Sequence, residues 1–450
     1  MWLILEVLAS IDAVLTHQCS SGTDVADGTD PPRLAPYQLA EYKAARNWLR
    51  RYCPKSAVGN IEQVKGRLQA FRHLSNVKAW ESASQLATGV VSCRTGDAES
   101  ATDVSEELHE LLFLWGHYAE QRQLYEALWF RIDLETDLVC LSGLGNVHDV
   151  LGEYEQAVAC HQDALSVATE LGSAAASSSA LGGLGNAYLS MGRRSQAISA
   201  YQRQLTIAQA AGNQRSAGVA LGNLGNAHRI AENYDLAEGY VTARIEIAQT
   251  ISDVRGEGDG LCNLGSLRLT QGDLAEAERV LLQAVERAQR IGHRRGECRA
   301  YGNLGLVYVE REERARALSC FERSWQLAQA LDDGEGKRLV VLQLGKLCQQ
   351  MSEYERAISY QRQALAFVTD ELQVAALLLN LGTACRETGR WEEAIQFYQE
   401  LVVAAALLPE DEPDRRLLHM MGLYCLALVY QSCGQERLAF RYCRAALGLS

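Results

Sequence analysis

The chain has 450 residues, of which 48% are hydrophobic and 22% charged, so it can bury a sizeable core. Its 43 Lys and Arg against 56 Asp and Glu give a net charge of −13, which argues against nucleic acid and anionic membranes as partners, because both are bound mainly through cationic side chains. The 13 cysteines are scattered without a CxxC pair, so the sequence predicts neither a disulfide framework nor a metal site and indicates a reducing, cytoplasmic location.

Residues 1–36 are predicted to be a leader followed by a disordered linker. The first fifteen residues are apolar, but they include Glu6 and Asp12, contain no Lys or Arg, and are too few to span a bilayer. We interpret them as a short amphipathic helix or a poorly ordered leader, with a secretory signal peptide as the remaining alternative. Residues 18–36 are rich in Ser, Gly, Asp and Pro and have little to bury, which is typical of a disordered segment.

Residues 37–104 are predicted to form an N-terminal helical cap. Apolar residues recur at spacings of three and four from Tyr37 onward, and two further amphipathic segments follow near 61–76 and 78–92. Residues 93–104 are polar and are predicted to be a loop. The segment 105–137 then reads as a degenerate helical hairpin, with helices over 105–119 and 123–137.

A sequence repeat of about 40 residues organises the rest of the chain. Each repeat carries a Leu in its first helix and an Ala thirteen residues later in its second helix, as in Leu184 and Ala197. A Gly after that Leu costs ~1 kcal/mol relative to Ala in mid-helix, so we expect close helix packing there, with the Ala of the second helix opposite the Gly. The regular repeats begin at residues 141, 181, 221, 261, 301, 341, 378 and 423.

These motifs, of which LGNLGNAH at 221–228 is typical, resemble the tetratricopeptide repeat (TPR). The long unit is similar to that of partner-of-inscuteable-type G-protein-signalling modulators, kinesin light chains and bacterial signalling TPR proteins. The resemblance covers 105–450 and implies an all-α, right-handed superhelical solenoid of TPR hairpins preceded by an irregular helical cap. A polar capping helix is missing before Ser450, so we expect either self-association through the uncapped C-terminal end or a truncated sequence.

Catalytic motifs are missing from the sequence. It contains no GxxxxGK[ST], GxSxG, HExxH or DxDxDG, and the glycine-rich GEGDG at 256–260 fits a turn between repeats better than a phosphate loop. His148 and His228 occupy a position where other repeats have Tyr, which favours a packing role over metal binding or catalysis. We therefore expect a protein that is not an enzyme and that needs no cofactor or metal.

The predicted binding site is the groove formed by the face of each first helix that lies opposite the core. A carboxamide donates and accepts hydrogen bonds, so a column of Asn can bind an extended peptide backbone, and the resemblance implies such a role. The alternative is that these Asn stabilise turns and pack helix against helix. The candidates are Asn146, Asn186 and Asn226 on the inner column, Asn223, Asn263, Asn303 and Asn380 on an outer strip, and the cations Arg229, Lys346 and Arg386.

The groove is expected to change along the array. Ser142 and Gly182 leave the early repeats roomy, whereas Leu342, Leu379 and Tyr424 make the later ones narrower and more apolar. The cations favour a ligand with acidic residues and an apolar anchor. The predicted function is a non-enzymatic adaptor that binds a peptide or helix of a partner protein. The alternative is the regulatory or sensor part of a bacterial NTPase- or protease-linked signalling system.

Overall fold

The computed structural model describes residues 2–20, 34–52, 60–95, 102–331, 333–368, 371–409 and 412–448. The chain forms two compact units. Unit 1 is Met1–Leu267 with Gln329–Asp333, and unit 2 is Arg268–Ala328 with Gly334–Ser450. Within the described ranges, no helix is both long and apolar enough to cross a membrane.

Unit 1 begins with four helices that share one core. They are α1 (Trp2–Ser20), α2 (Pro36–Arg51), α3 (Asn60–Asn76) and α4 (Trp80–Thr88). Val7, Ile11 and Leu15 recur every four residues on α1 and are buried in the same cluster as Leu74 and Leu86. Trp2–Ser20 thus forms an amphipathic helix with its apolar face in the core, which is one of the two alternatives expected for this segment. Most of the predicted linker, 21–33, lies outside the described residues.

A β-hairpin follows these helices. Strand β1 (Val90–Thr95) pairs antiparallel with β2 (Thr102–Glu107), in a register that runs from Val90 opposite Glu107 to Thr95 opposite Thr102. The prediction of a helix up to residue 92 and a loop over 93–104 is wrong here. The β-branched Val and Thr residues of both segments favour strands. The polar residues among them, which are typical of loops, led to the prediction of a loop.

Two short helices, α5 (Leu108–Leu114) and α6 (Tyr118–Leu128), lead into the regular hairpins and are shorter than the helices predicted over 105–137. Each later hairpin begins before the repeat start taken from the sequence, because its first helix starts about two turns earlier. The helices that follow are α7 (Leu134–Val150), α8 (Tyr154–Glu170), α9 (Ala174–Ser190), α10 (Arg194–Ala210), α11 (Gln214–Ile230), α12 (Tyr234–Thr250), α13 (Val254–Thr270), α14 (Leu274–Arg290), α15 (Arg294–Glu310), α16 (Arg314–Leu331), α17 (Gly334–Gln350), α18 (Tyr354–Leu365), α19 (Glu371–Glu387), α20 (Trp391–Leu407), α21 (Arg415–Ser432) and α22 (Glu436–Ala446).

In six of the hairpins, the Gly of the first helix gives space to a side chain of the second helix. A Cβ on Gly185 would lie 2.2 Å from Cε1 of Tyr201, and a Cβ on Gly305 would lie 2.4 Å from Cε1 of Phe321. The expectation that the Ala opposes the Gly is corrected, since the residue four positions after that Ala fills the space. The six pairs are Gly145 with His161, Gly185 with Tyr201, Gly225 with Val241, Gly305 with Phe321, Gly345 with Gln361, and Gly382 with Tyr398.

Both units thus consist of antiparallel helical hairpins whose cores repeat from one hairpin to the next. The buried Leu and Ala of the repeat, such as Leu184 and Ala197, form this core. The fold is an all-α helical solenoid, with the β-hairpin as an addition near its N-terminal end.

Candidate functional site

In unit 1, three successive first helices surround a pocket of about 370 Å³. The predicted residues Asn146 on α7, Asn186 on α9 and Asn223 on α11 come together around it. The second helices α8 and α10 add His161 and Gln204. The remaining lining residues are small, polar or aliphatic: Ser142, Ala175, Ser178, Ser179, Ala180, Gly182, Gly183, Ser216 and Val219.

Asn146 and Asn186 are both exposed to solvent in this pocket. The hydroxyl of Tyr201 donates a hydrogen bond of 2.7 Å to Oδ1 of Asn186, which leaves the Asn186 amide N–H₂ without a partner in the described chain. Asn146 has no hydrogen-bond partner among the described residues. Asn186 is therefore held in one orientation from behind, with its donors available to a ligand.

Asn226 and Asn223 are engaged within the protein. Oδ1 of Asn226 accepts a hydrogen bond of 3.0 Å from Arg229, and burial lowers the pKa of that arginine. The Nδ2 group of Asn223 donates to Oε1 of Gln204 at 3.3 Å. Of the two alternatives for these positions, ligand binding and internal packing, these two side chains make internal contacts.

The other candidate residues do not line this pocket. Asn263 is half-buried in unit 1, whereas Asn303 and Asn380 are half-buried in unit 2. Lys346 is exposed and forms no ion pair among the described residues. Arg386 pairs with the adjacent Glu387 at 2.6 Å, and the hydrogen bond to that carboxylate raises the pKa of Arg386.

Unit 2 exposes apolar side chains on α21 that the sequence analysis missed, apart from Tyr424. Leu417, Met420, Met421 and Tyr424 are exposed by 55%, 39%, 37% and 53%, respectively. In the hairpin register they correspond to Ala175, Ser178, Ser179 and Gly182, all of which line the unit 1 pocket. Their spacing of three, four and seven on the face opposite the core was the available signal.

His161 and Gln204 are the other residues that the sequence analysis missed, because it searched the first helices alone. Both side chains are almost fully buried, with 3% and 4% exposure. Burial lowers the pKa of His161 to about 4, so its imidazole is neutral at pH 7. The available signal for His161 was its position in the repeat, because the equivalent second-helix residue of the next hairpin is Tyr201.

His148 and His228 make contacts typical of packing residues. His148 Nδ1 lies 2.5 Å from a carboxylate oxygen of Glu153 in the turn that follows, and the ring of His228 stacks on Tyr240 with 5.4 Å between centroids. Among the described residues, no group of three or more His, Cys, Asp or Glu could hold a metal ion.

The tetratricopeptide repeat family matches residues 137–210, 176–250, 258–330 and 337–402, which together exceed half of the chain. The chain is similar to the structure of a signal-transduction ATPase with numerous domains and a tetratricopeptide repeat sensor from Pyrococcus horikoshii, with 14% identity, a TM-score of 0.54 and coverage of 97% of this chain and 71% of that chain. PilF of Pseudomonas aeruginosa has 21% identity, a TM-score of 0.39 and coverage of 58% of this chain and 97% of its own. No curated protein sequence matches the chain.

Proposed function

Because the chain belongs to the tetratricopeptide repeat family, we propose that it is a non-enzymatic adaptor that binds a segment of a partner protein along its first helices. The family fold serves protein–protein interaction, and its exposed first-helix faces are where a peptide or helix can lie. The proposal assigns the exposed amides of Asn146 and Asn186, at the unit 1 pocket, to backbone carbonyls of that segment and the exposed face of α21 to its apolar side chains.

The observation that carries the proposal is the exposure of Asn146 and Asn186 in one pocket. Asn is a poor helix former, so two Asn in mid-helix that make no helix-stabilising contact weaken their helices. Each has an amide N–H₂ group without a partner in the described chain. An extended peptide has one carbonyl acceptor per residue, and these amides can donate to such carbonyls.

Preorganisation supports the same assignment. The bond from Tyr201 restrains the Asn186 carboxamide before any ligand arrives, so less side-chain entropy is lost on binding. In unit 2, the hydroxyl of Tyr398 donates to Oγ1 of Thr383 at 3.2 Å, and Thr383 occupies the position equivalent to Asn186. A tyrosine of the second helix thus donates a hydrogen bond to the residue at this position in one hairpin of each unit, which supports the assignment.

Unit 2 supports a ligand that has acidic residues and an apolar anchor. Lys346 occupies the Asn186 position of its hairpin and is exposed, while Leu417, Met420 and Tyr424 expose apolar surface on α21. Methionine adapts its shape to different partners, so this surface suits an apolar side chain of a helix or peptide. Tight binding of a Lys-rich segment, with no binding of an acidic one, would contradict this part of the proposal.

The experiment is affinity capture from native lysate with mass spectrometry. Wild-type protein is compared with the double variant Asn146→Ala/Asn186→Ala, and circular dichroism checks that each variant is folded. The matched control is Asn226→Ala, because Asn226 bonds to Arg229 within the protein. The proposal requires a partner that is retained by wild type and Asn226→Ala and lost from the double variant; equal capture by all three proteins contradicts it.

A second candidate function is the regulatory or sensor part of an NTPase- or protease-linked signalling system. The fold similarity to the Pyrococcus horikoshii ATPase, which carries a repeat sensor, favours it. A captured partner that contains an NTPase or protease domain would select this candidate over a simple adaptor. Among the described residues, no cysteine is joined to another in a disulfide, which supports a cytoplasmic location in either case.

A further inference from the structure

His161 reaches the unit 1 pocket from behind, through a gap that two glycines create. A Cβ on Gly145 would lie 2.5 Å from Cε1 of His161, and a Cβ on Gly183 would lie 2.4 Å from the same atom. Both ring nitrogens are within 2.7 Å of these two Cβ positions. The imidazole ring therefore lies between α7 and α9. A side chain at either glycine position would occupy the space that the ring fills.

The equivalent residue of the next hairpin, Tyr201, makes a hydrogen bond that His161 does not make. There the longer Tyr201 side chain passes Gly185 and ends in a hydrogen bond to Asn186. The shorter imidazole makes no such bond to Asn146, and Nδ1 of His161 is buried without a hydrogen-bond partner in the described chain. An unpaired buried polar atom costs stability, so its presence beside a pocket points to a ligand group that completes the bond.

The pocket contains both hydrogen-bond donors and hydrogen-bond acceptors, and it carries no formal charge. None of its fourteen lining residues is Asp, Glu, Lys or Arg. Internal bonds already occupy Oδ1 of Asn186 and Oε1 of Gln204, so these two side chains have N–H₂ donors left. Asn146 keeps both its oxygen and its N–H₂ group, and the imidazole keeps an unpaired nitrogen.

We propose that this pocket binds the side-chain carboxamide of an Asn or Gln in the partner segment, an assignment that rests on the proposed function. The ligand carbonyl accepts one hydrogen each from the amides of Asn186 and Gln204, and the ligand N–H₂ donates to Oδ1 of Asn146 and to the imidazole of His161. The second hydrogen of Asn186 and the N–H₂ group of Asn146 stay available to backbone carbonyls of the segment. A carboxylate of the same shape has no hydrogen to donate. It would also bring a charge without a counterion into a chain of net charge −13.

The test is a titration of the full chain, labelled with ¹³C at histidine Cε1, and followed by NMR. The probes are N-acetylglutamine amide and its isosteric carboxylate, N-acetylglutamate amide. The His161 signal is assigned by its absence from His161→Tyr, a variant that copies the Tyr201 position. We expect a saturable shift of this signal with the glutamine probe and at least tenfold weaker binding of the glutamate probe.

Absence of a saturable shift with the glutamine probe would overturn the inference, as would equal or tighter binding of the glutamate probe. Because the probes are single residues, the result does not depend on whether the groove binds a longer segment. Failure of the proposed function would show separately, as equal capture of partners by wild type and Asn146→Ala/Asn186→Ala while the glutamine probe still shifts the His161 signal.

Discussion

The hydroxyl of Tyr201 donates a 2.7 Å hydrogen bond to Asn186 of the preceding helix, and its ring reaches that position because residue 185 is glycine. Tyr201 thus connects Gly185, a residue type that disfavours helix, with Asn186, a candidate binding residue. Because Gly185 has no side chain, the aromatic ring of Tyr201 can pack closely against the backbone of α9.

Replacing Gly185 with Ala should destabilise the protein although Ala favours helix. The added Cβ would lie 2.2 Å from the Tyr201 ring, and such overpacking lowers the free energy of unfolding by about 1–3 kcal/mol. Gly239→Ala in α12 is the matched control, because a Cβ there meets no atom within 4 Å, and it should stabilise by roughly 0.5–1 kcal/mol. Urea unfolding of both variants measures the difference; a stabilised Gly185→Ala protein would contradict the packing described.

His161→Tyr should stabilise the protein. The new hydroxyl can reach Asn146 as Tyr201 reaches Asn186, and the unpaired Nδ1 is removed, so we expect a gain of about 1 kcal/mol in the free energy of unfolding. Urea unfolding at pH 7 checks this. A loss of stability would show that the imidazole is already satisfied in the folded protein.

The stability of the wild type should fall with acidification more than that of His161→Tyr. Burial lowers the pKa of His161 from 6.5 to about 4, so between these values the unfolded chain binds a proton that the folded protein does not. The contribution of neutral His161 to the free energy of unfolding is complete above pH 6.5 and is lost as the pH falls towards 4. The loss amounts to roughly 3 kcal/mol by pH 4. Urea unfolding at pH 7 and pH 4.5 measures it; equal losses in both proteins would refute the assignment.

The exposed face of α22 should promote self-association. Phe440 on α22 and Leu447, directly after its last residue, are each 66% exposed, and Ala446 is the buried residue of this helix. Exposed aromatic side chains favour contacts between copies, so wild-type protein should dimerise with rising concentration and Phe440→Glu should remain monomeric. Sedimentation velocity distinguishes the two cases, and a wild type that stays monomeric throughout the concentration series would exclude this contact.

Periodicity predicted the hairpins well, because the Leu and Ala positions of each repeat are the core positions of two packed helices. The β-hairpin was missed, because Val90–Thr95 is a short segment whose β-branched residues are mixed with polar ones. The exposure of Asn146 and Asn186 could be predicted from the sequence, since the face on which a helical residue lies follows from the helix period. His161 and Gln204 were missed, because their access to the pocket depends on glycines of neighbouring helices, a three-dimensional relationship that no single helix pattern contains.

The most direct test of this account is the affinity of the captured partner segment for three forms of the protein. Calorimetric titration of wild type should give the tightest binding, and Asn226→Ala should bind equally well. Losing the two groove amides should weaken binding by about 1–3 kcal/mol, which is roughly 5- to 150-fold in Kd for Asn146→Ala/Asn186→Ala. An unchanged Kd in the double variant would mean that Asn146 and Asn186 do not contact the ligand, and the groove assignment would be wrong.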